Sequence, residues 1–139
     1  MSDKKFKSDS HVQAYDRLLT RRIKEYEERF GVKIDNIKEL KMSIKRFEVI
    51  IDMTERKSIY EIPVLKKFKF GSKSRDTFFD MNVRLDYLGD LYDDVEKHKK
   101  LMSKKREDYR ARHSEIIGKD GMKAIDYVSP ASLSYYILW

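Results

Sequence analysis

Residues 76–117, DTFFDMNVRLDYLGDLYDDVEKHKKLMSKKREDYRARHSEII, decide the fold that we predict from the sequence. The stretch contains no proline, and its heptad positions, spaced by three and four residues, are typical of a helix with a coiled-coil-like stripe. We therefore predict one continuous helix of about 42 residues, roughly 60 Å long, that starts at a capping Asp76 and ends before Gly118. The heptad positions are Phe78, Met81, Leu85, Leu88, Tyr92, Val95, Lys99, Met102, Arg106, Tyr109, His113 and Ile116.

Two shorter helices are predicted before this long one. Residues 11–30 place apolar side chains on one helix face, with Ser10 as a candidate cap and Gly31 as a candidate left-handed terminating residue. A second stripe starts at Ile37, and its helix is expected to end between 56 and 61 because Pro63 forbids a regular helix there. The second stripe consists of Ile37, Leu40, Ile44, Phe47 and Ile51.

The expected fold class is therefore all-α, with an elongated three-helix arrangement. Residues 1–10 are predicted to form a basic N-terminal arm, residues 11–121 the helical domain, and residues 122–139 an apolar C-terminal docking tail. At 139 residues the chain has the length of a single domain.

Residues 63–75, PVLKKFKFGSKSR, fit only a basic loop or a β-hairpin arm. In an extended strand the alternation would place two phenylalanines on one face and two lysines on the other. Cations neutralise phosphates and aromatic rings stack on unpaired bases, so we expect a nucleic-acid contact here. The alternative is a solvated loop whose phenylalanines fold back onto the helices. The candidate nucleic-acid-binding residues are Lys66, Lys67, Phe68, Lys69, Phe70, Lys73 and Arg75.

The C-terminal tail ends in an apolar run, which a monomer in water would bury. Ser129 and Pro130 suit the cap and first turn of a short helix, although an extended conformation also fits the pattern. We expect the run to dock on its own helical core or in a groove of another subunit, beside a partly uncovered distal half of the long helix. The candidate partner-binding residues are Leu133, Tyr135, Tyr136, Ile137, Leu138, Trp139, Met102, Arg106 and Tyr109.

Charge is distributed unevenly along the chain, whose net charge is +7. Residues 1–75 carry twenty Lys/Arg against twelve Asp/Glu, whereas residues 76–139 carry eleven against twelve. Within the long helix, residues 76–96 contain seven acids and one base, and residues 97–113 contain eight bases and two acids. Three explanations fit this polarity: complementing the helix dipole, pairing of the acidic half of one copy with the basic half of another, and contact between the basic end and nucleic acid.

Several classes of chemistry find no support in the sequence. There is no cysteine, and His98 and His113 would lie roughly 22 Å apart on one helix, too far to share a metal. Residues 71–74 lack the glycine spacing of a phosphate-binding loop, and no glycine-framed serine turn is present. We therefore expect no enzyme, cofactor, metal or small-molecule substrate. The absence of a signal-like or long apolar stretch predicts a cytoplasmic or virus-like-particle location, with neither secretion nor a membrane span.

Three functional hypotheses follow. The leading one is a non-catalytic structural or assembly subunit that packs with copies of itself or with other chains in a larger nucleic-acid-containing complex, such as a phage particle. The second is a nucleic-acid-binding accessory factor for replication, recombination or transcription. The third is a small inhibitor or adaptor that captures one protein partner through its C-terminal tail.

Overall fold

The computed structural model describes residues 3–53, 64–73, 76–88 and 94–139. Helices lie at both ends of the chain, and three strands follow the first helix. In chain order the elements are α1 (Asp3–Phe30), β1 (Lys33–Glu39), β2 (Lys45–Asp52), β3 (Leu65–Ser72), α2 (Phe78–Leu88), α3 (Val95–His113) and α4 (Pro130–Leu133), the last continuing into a π-helical turn (Ser134–Leu138).

The prediction of an all-α, three-helix fold is wrong, because the helices are combined with a three-stranded antiparallel sheet in the order β1-β2-β3. Strands β1 and β2 occupy the segment for which we predicted the second helix. Its apolar residues fit helical steps of three and four, but Phe47, Val49 and Ile51 also alternate with a period of two, and all three are buried. Short apolar runs fit either period, and here the β-branched and aromatic residues of β2 pack as a central strand.

Strand β3 replaces the predicted basic loop or hairpin arm. Its register places Phe70 opposite Phe47 of β2, and Phe68 lies on the same face. Lys67 and Lys69 lie on the other face and are exposed, so the predicted alternation of aromatic and basic side chains is confirmed. The segment is therefore an edge strand of the sheet, with its aromatic face turned to the core.

The continuous helix predicted for residues 76–117 is wrong, and with it the coiled-coil stripe, because α2 and α3 are separate helices. Asp94 has a left-handed conformation, with φ of 49° and ψ of 63°, and its carboxylate accepts a hydrogen bond from the Lys97 amide at 3.3 Å. This is the N-cap of a new helix, and a left-handed residue cannot continue an existing one. Thr77, rather than Asp76, caps α2, since its hydroxyl accepts from the Asp80 amide. Residues 89–93 lie outside the described residues.

Helix α1 ends as predicted and begins earlier than predicted. Gly31 adopts a φ of 64°, and its amide bonds back to the Glu27 carbonyl at 2.9 Å, which closes the helix. At the other end α1 starts at Asp3, so residues 3–10 are part of this helix instead of a separate arm.

Among the described helices, none is long and apolar enough to cross a membrane.

The C-terminal segment belongs to the main core, together with side chains of α1, the sheet and α2. Ser129 and Ser132 form a capping box with Pro130 in the first turn, as the sequence predicted for a short helix. Ser132 is buried and shares a hydrogen bond of 2.7 Å with the hydroxyl of Tyr26 on α1. Trp139 stacks on Tyr109 of α3, with ring centroids 4.4 Å apart. The tail therefore docks on its own chain.

Candidate functional site

A cleft of about 670 Å³ lies between α1 and α3. Two arginines of α1 are seven residues apart, or about two turns, and two arginines of α3 are four residues apart, or about one turn, so each pair lies along one helix face. We call this the arginine cleft. It is lined by Arg22, Glu25, Tyr26, Glu28 and Arg29 of α1, by Arg106 and Arg110 of α3, and by Tyr136 of the C-terminal segment.

The ring of Phe78, at the start of α2, supports one arginine from each helix. The guanidinium carbon of Arg106 lies 4.4 Å from the ring centroid, and that of Arg22 lies 5.7 Å from it. Both distances are within the range of a cation–π interaction. Phe78 therefore brings together positive charges from α1 and α3, although the two helices are far apart in sequence.

The adjacent tyrosines of the C-terminal segment support the other two arginines. The guanidinium carbon of Arg29 lies 4.2 Å from the centroid of Tyr136, and that of Arg110 lies 5.1 Å from the centroid of Tyr135. A guanidinium carries five N–H donors around its edge, and a contact with an aromatic ring does not consume them as a carboxylate would. All four arginines are thus held in place by aromatic rings in a way that suits them to bind an anion.

Within the described part of the chain, these arginines have few partners. Among the described residues, none of the four forms an ion pair, even though Glu25 and Glu28 also line the cleft. The Nε atoms of Arg106 and Arg110 are buried and have no hydrogen-bond partner there, and an Nη of Arg110 donates a long bond of 3.4 Å to the main-chain oxygen of Trp139. A buried donor without a partner costs about 1–3 kcal/mol, so these two side chains are held in the structure at some cost in stability.

The pKa shifts of two cleft arginines also indicate positive charge that is not neutralised by a partner. Burial lowers the pKa of Arg106, and the positive charges of Arg110 and Arg22 lower it further. Burial also lowers the pKa of Arg22, with Glu25 opposing that effect and Arg110 adding to it. Arginine titrates so far above neutrality that both side chains stay charged. The cleft is therefore a site of concentrated, mutually repelling positive charge.

Searches against protein-family models, curated proteins and solved structures find no match to this chain.

A second cleft, of about 530 Å³, lies where the sheet meets α2, and four of the six charged side chains that line it form ion pairs with one another. Arg46 of β2 donates two hydrogen bonds to the carboxylate of Asp80, at 2.7 and 2.6 Å. Although burial opposes ionisation, these bonds hold the pKa of Asp80 below its ordinary value. Arg84 forms a similar two-bond contact with Asp76. The two ion pairs of this second cleft neutralise most of its charge and leave little for a ligand.

The predicted nucleic-acid-binding residues lie on and just after β3, and none of those that the structure describes lines the arginine cleft. Phe70 is buried against Phe47, with ring centroids 5.4 Å apart, so its ring faces the core and is not available to stack on a base. Phe68 is partly buried against the same core. Lys66, Lys67, Lys69 and Lys73 are exposed, and Arg75 lies outside the described residues.

One lysine of β3, Lys67, is engaged by Glu48 on the outer face of the sheet. Glu48 accepts from Lys38 of β1 at 3.1 Å and lies 3.4 Å from the amino group of Lys67. The hydrogen bond from Lys38 holds the pKa of Glu48 below its ordinary value. This face consequently carries less free positive charge than the spacing of its lysines suggests.

The predicted partner-binding residues divide between the core and the arginine cleft. Arg106 and Tyr136 line the cleft, and Tyr135 supports Arg110. The other six are buried in the interior of their own chain, which leaves their side chains inaccessible to a partner: Leu133, Ile137, Leu138, Trp139, Met102 and Tyr109.

Sequence reasoning missed Arg22, Arg29 and Arg110. A signal was present, since Arg22 and Arg29 share a face of the predicted first helix, as do Arg106 and Arg110 on the predicted long one. Each pair alone resembles an ordinary solvated helix face.

In the described part of the chain, no three histidine or acidic side chains come together in a way that could hold a metal ion.

Proposed function

We propose that this chain is a non-catalytic nucleic-acid-binding accessory factor that binds phosphates in the arginine cleft. The observation that carries the proposal is the set of four arginines, each with its guanidinium carbon 4.2–5.7 Å from the centroid of an aromatic ring and none in an ion pair within the described residues. Guanidiniums that are not paired with a carboxylate suit the planar, two-point recognition of phosphate oxygens.

The surrounding surface adds positive charge. Helix α3 exposes a series of bases, and among its described residues the ion pairs are the local contacts Lys99–Glu96 and Lys104–Asp108, at 3.9 and 3.5 Å. Exposed pairs of this kind contribute little and are screened by salt. These bases would extend a phosphate footprint beyond the cleft. The exposed bases of α3 are Lys97, Lys99, Lys100, Lys104, Lys105 and Arg112.

The acids of the α2 region are used within the chain. Asp86 pairs with Arg17 of α1, Asp80 with Arg46 of β2, and Asp76 with Arg84 of α2 itself. Three of the seven acids in the acidic half are therefore paired with arginines of this chain and are not available to the basic half of a second copy. This favours an acidic partner from outside, such as nucleic acid, for the bases of α3.

Binding to fluorescent oligonucleotides, measured by anisotropy at several salt concentrations, tests the proposal. We expect the logarithm of the binding constant to fall linearly with the logarithm of salt concentration, by about 0.7–0.9 for each phosphate neutralised. The double variant Arg22→Gln/Arg106→Gln should weaken binding at least tenfold.

The matched control is Lys33→Gln/Lys41→Gln, which removes the same charge from exposed positions outside the cleft lining and should have a smaller effect. Binding that is absent in low salt, or that both double variants weaken equally, would contradict a role for the cleft.

A second candidate function, the assembly subunit, is favoured by the turn between β1 and β2. Met42 and Ile44 are 99% and 86% exposed there, and neighbouring large apolar side chains exposed to this degree often mark a protein contact. Sedimentation of the wild-type chain and of Met42→Glu/Ile44→Glu tests it. An oligomer that the variant dissociates supports assembly through this turn, and a wild-type monomer at all concentrations argues against self-assembly.

A further inference from the structure

The charges that line the arginine cleft do not balance. Four arginines face two glutamates, so the lining carries a net charge of +2. An internal phosphodiester of a nucleic acid carries one negative charge, whereas a phosphomonoester carries about −1.5 to −2 at neutral pH. The doubly charged group matches the lining, and the singly charged group leaves positive charge uncompensated.

We propose that the arginine cleft binds the terminal phosphate of a nucleic-acid strand, in preference to a phosphate within the strand. The inference rests on the proposed function, because it takes nucleic acid as the partner and specifies which of its phosphates enters the cleft. It assigns to Arg22, Arg29, Arg106 and Arg110 the recognition of a strand end.

The placement of the arginines supports a terminal group. Arg22 and Arg29 come from α1, and Arg106 and Arg110 come from α3, so donors reach an anion from two sides. A terminal phosphate offers three oxygens that carry no carbon, and an internal phosphate offers two. Three of the four arginines are partly buried, which suits an end that enters the cleft better than a strand that must enter and leave it.

The tyrosines of the cleft do not add negative charge. Burial raises the pKa of Tyr26 to about 12, so its hydroxyl is neutral at physiological pH. That hydroxyl is also engaged with Ser132 at 2.7 Å. Tyr136 presents its ring to Arg29 and belongs to the wall of the cleft, where it holds the guanidinium in place. The charge match therefore depends on the arginines and the two glutamates.

Three oligonucleotides of one sequence test the inference. One has a 5′-phosphate, one a 3′-phosphate and one hydroxyls at both ends, with a fluorophore attached at an internal base. We expect one phosphorylated end to raise the affinity at least tenfold over the hydroxyl strand. Arg22→Gln/Arg106→Gln should remove that gain, and Lys33→Gln/Lys41→Gln should keep it.

Because the cleft variant could also disturb folding, ³¹P NMR of each phosphorylated strand with the wild-type chain gives a second readout. The terminal resonance is expected to shift or broaden before the internal ones. Equal affinity for all three strands, with internal resonances affected first, would overturn the inference and leave the proposed function standing if binding depends on salt. Binding to none of the strands would sink both.

Inorganic phosphate supplies the same chemistry without a strand, so calorimetry with phosphate alone completes the experiment. Weak binding that competes with the phosphorylated strand supports a phosphate site used by strand ends. Binding of free phosphate with no preference for a phosphorylated strand would identify a site for the small anion and overturn the strand-end inference.

Discussion

Arg106 has an aromatic ring against its guanidinium and positive charges near it, and the balance between them explains its role. Phe78 attracts the cation at 4.4 Å, while Arg110 and Arg22 repel it and burial removes some of its hydration. Contacts with a ring are worth about 0.5–2 kcal/mol, which is enough to hold the side chain in position. They do not satisfy its donors, and the buried Nε has no partner among the described residues. An anion bound in the cleft would offset the repulsion that Arg110 and Arg22 exert on Arg106.

Arg46 differs from the arginines of the cleft because its guanidinium is paired with a carboxylate. This pair makes the stability of the fold depend on pH in a way that can be tested. Hydrogen bonds from Arg46 to Asp80 lower the pKa of Asp80 in the folded state, so the pair stabilises the fold above the ordinary carboxyl pKa. That contribution is lost as the pH falls through the ordinary value towards the lowered one. We expect Asp80→Asn to cost about 1–3 kcal/mol at pH 7 and progressively less as the pH falls below 4, measured by urea unfolding. A cost that does not change with pH would contradict the ion pair.

At the scale of elements, helix ends and caps could be predicted from the sequence. The choice between helix and strand could not, because the spacing of apolar residues was ambiguous. The end of α1 at Gly31 and the cap at Ser129 depend on single residues and their neighbours, and both were predicted. The strands were missed because the apolar residues of β2 fit a helical spacing as well as a period of two. The arginine cleft needed the packing of α1 against residues more than 70 positions away, which no local pattern reports. Only the contacts of the folded chain reveal it.

The break between α2 and α3 predicts whether one substitution stabilises or destabilises the fold. Asp94→Ala removes the cap of α3 and places alanine, which tolerates a φ of 49° less well than aspartate, at that position, so it should destabilise the fold by about 0.5–2 kcal/mol. In a continuous helix the same change would stabilise by up to about 0.7 kcal/mol, because alanine is the better helix former. Thermal and urea unfolding of the variant distinguish the two, and a stabilised variant would refute the break.

Because the C-terminal segment is buried, we expect a substitution there to cost more stability than a similar substitution on the exposed face of α3. Ile137 is fully buried and Leu101 of α3 is 49% exposed. Ile137→Ala should cost about 2–5 kcal/mol, since it removes core volume that the surrounding side chains cannot refill. Leu101→Ala, the control, should change stability by no more than about 0.5 kcal/mol. Equal and small effects would mean that the C-terminal segment lies outside the core.

At the scale of the whole molecule, charges fall into two groups with different uses. Ion pairs join Arg17 of α1 to Asp86 and Arg46 of β2 to Asp80, and so connect α2 to two other elements of the fold. The arginines of the cleft are held by aromatic rings instead, and their charge is directed to the cleft. The first group is neutral, whereas the lining of the cleft between α1 and α3 carries a net charge of +2 that no ion pair among the described residues offsets. That separation is the physical basis of the proposed binding to phosphate.

NMR of the arginine Nε–H groups during titration with an oligonucleotide tests this account most directly, because each arginine reports separately. The account predicts that the resonances of Arg22, Arg29, Arg106 and Arg110 shift first, at the lowest ratios of oligonucleotide to protein. Those of Arg46 and Arg84, which are engaged with carboxylates, should stay in place. Shifts confined to arginines outside the cleft, or none at a concentration where binding is complete, would contradict it.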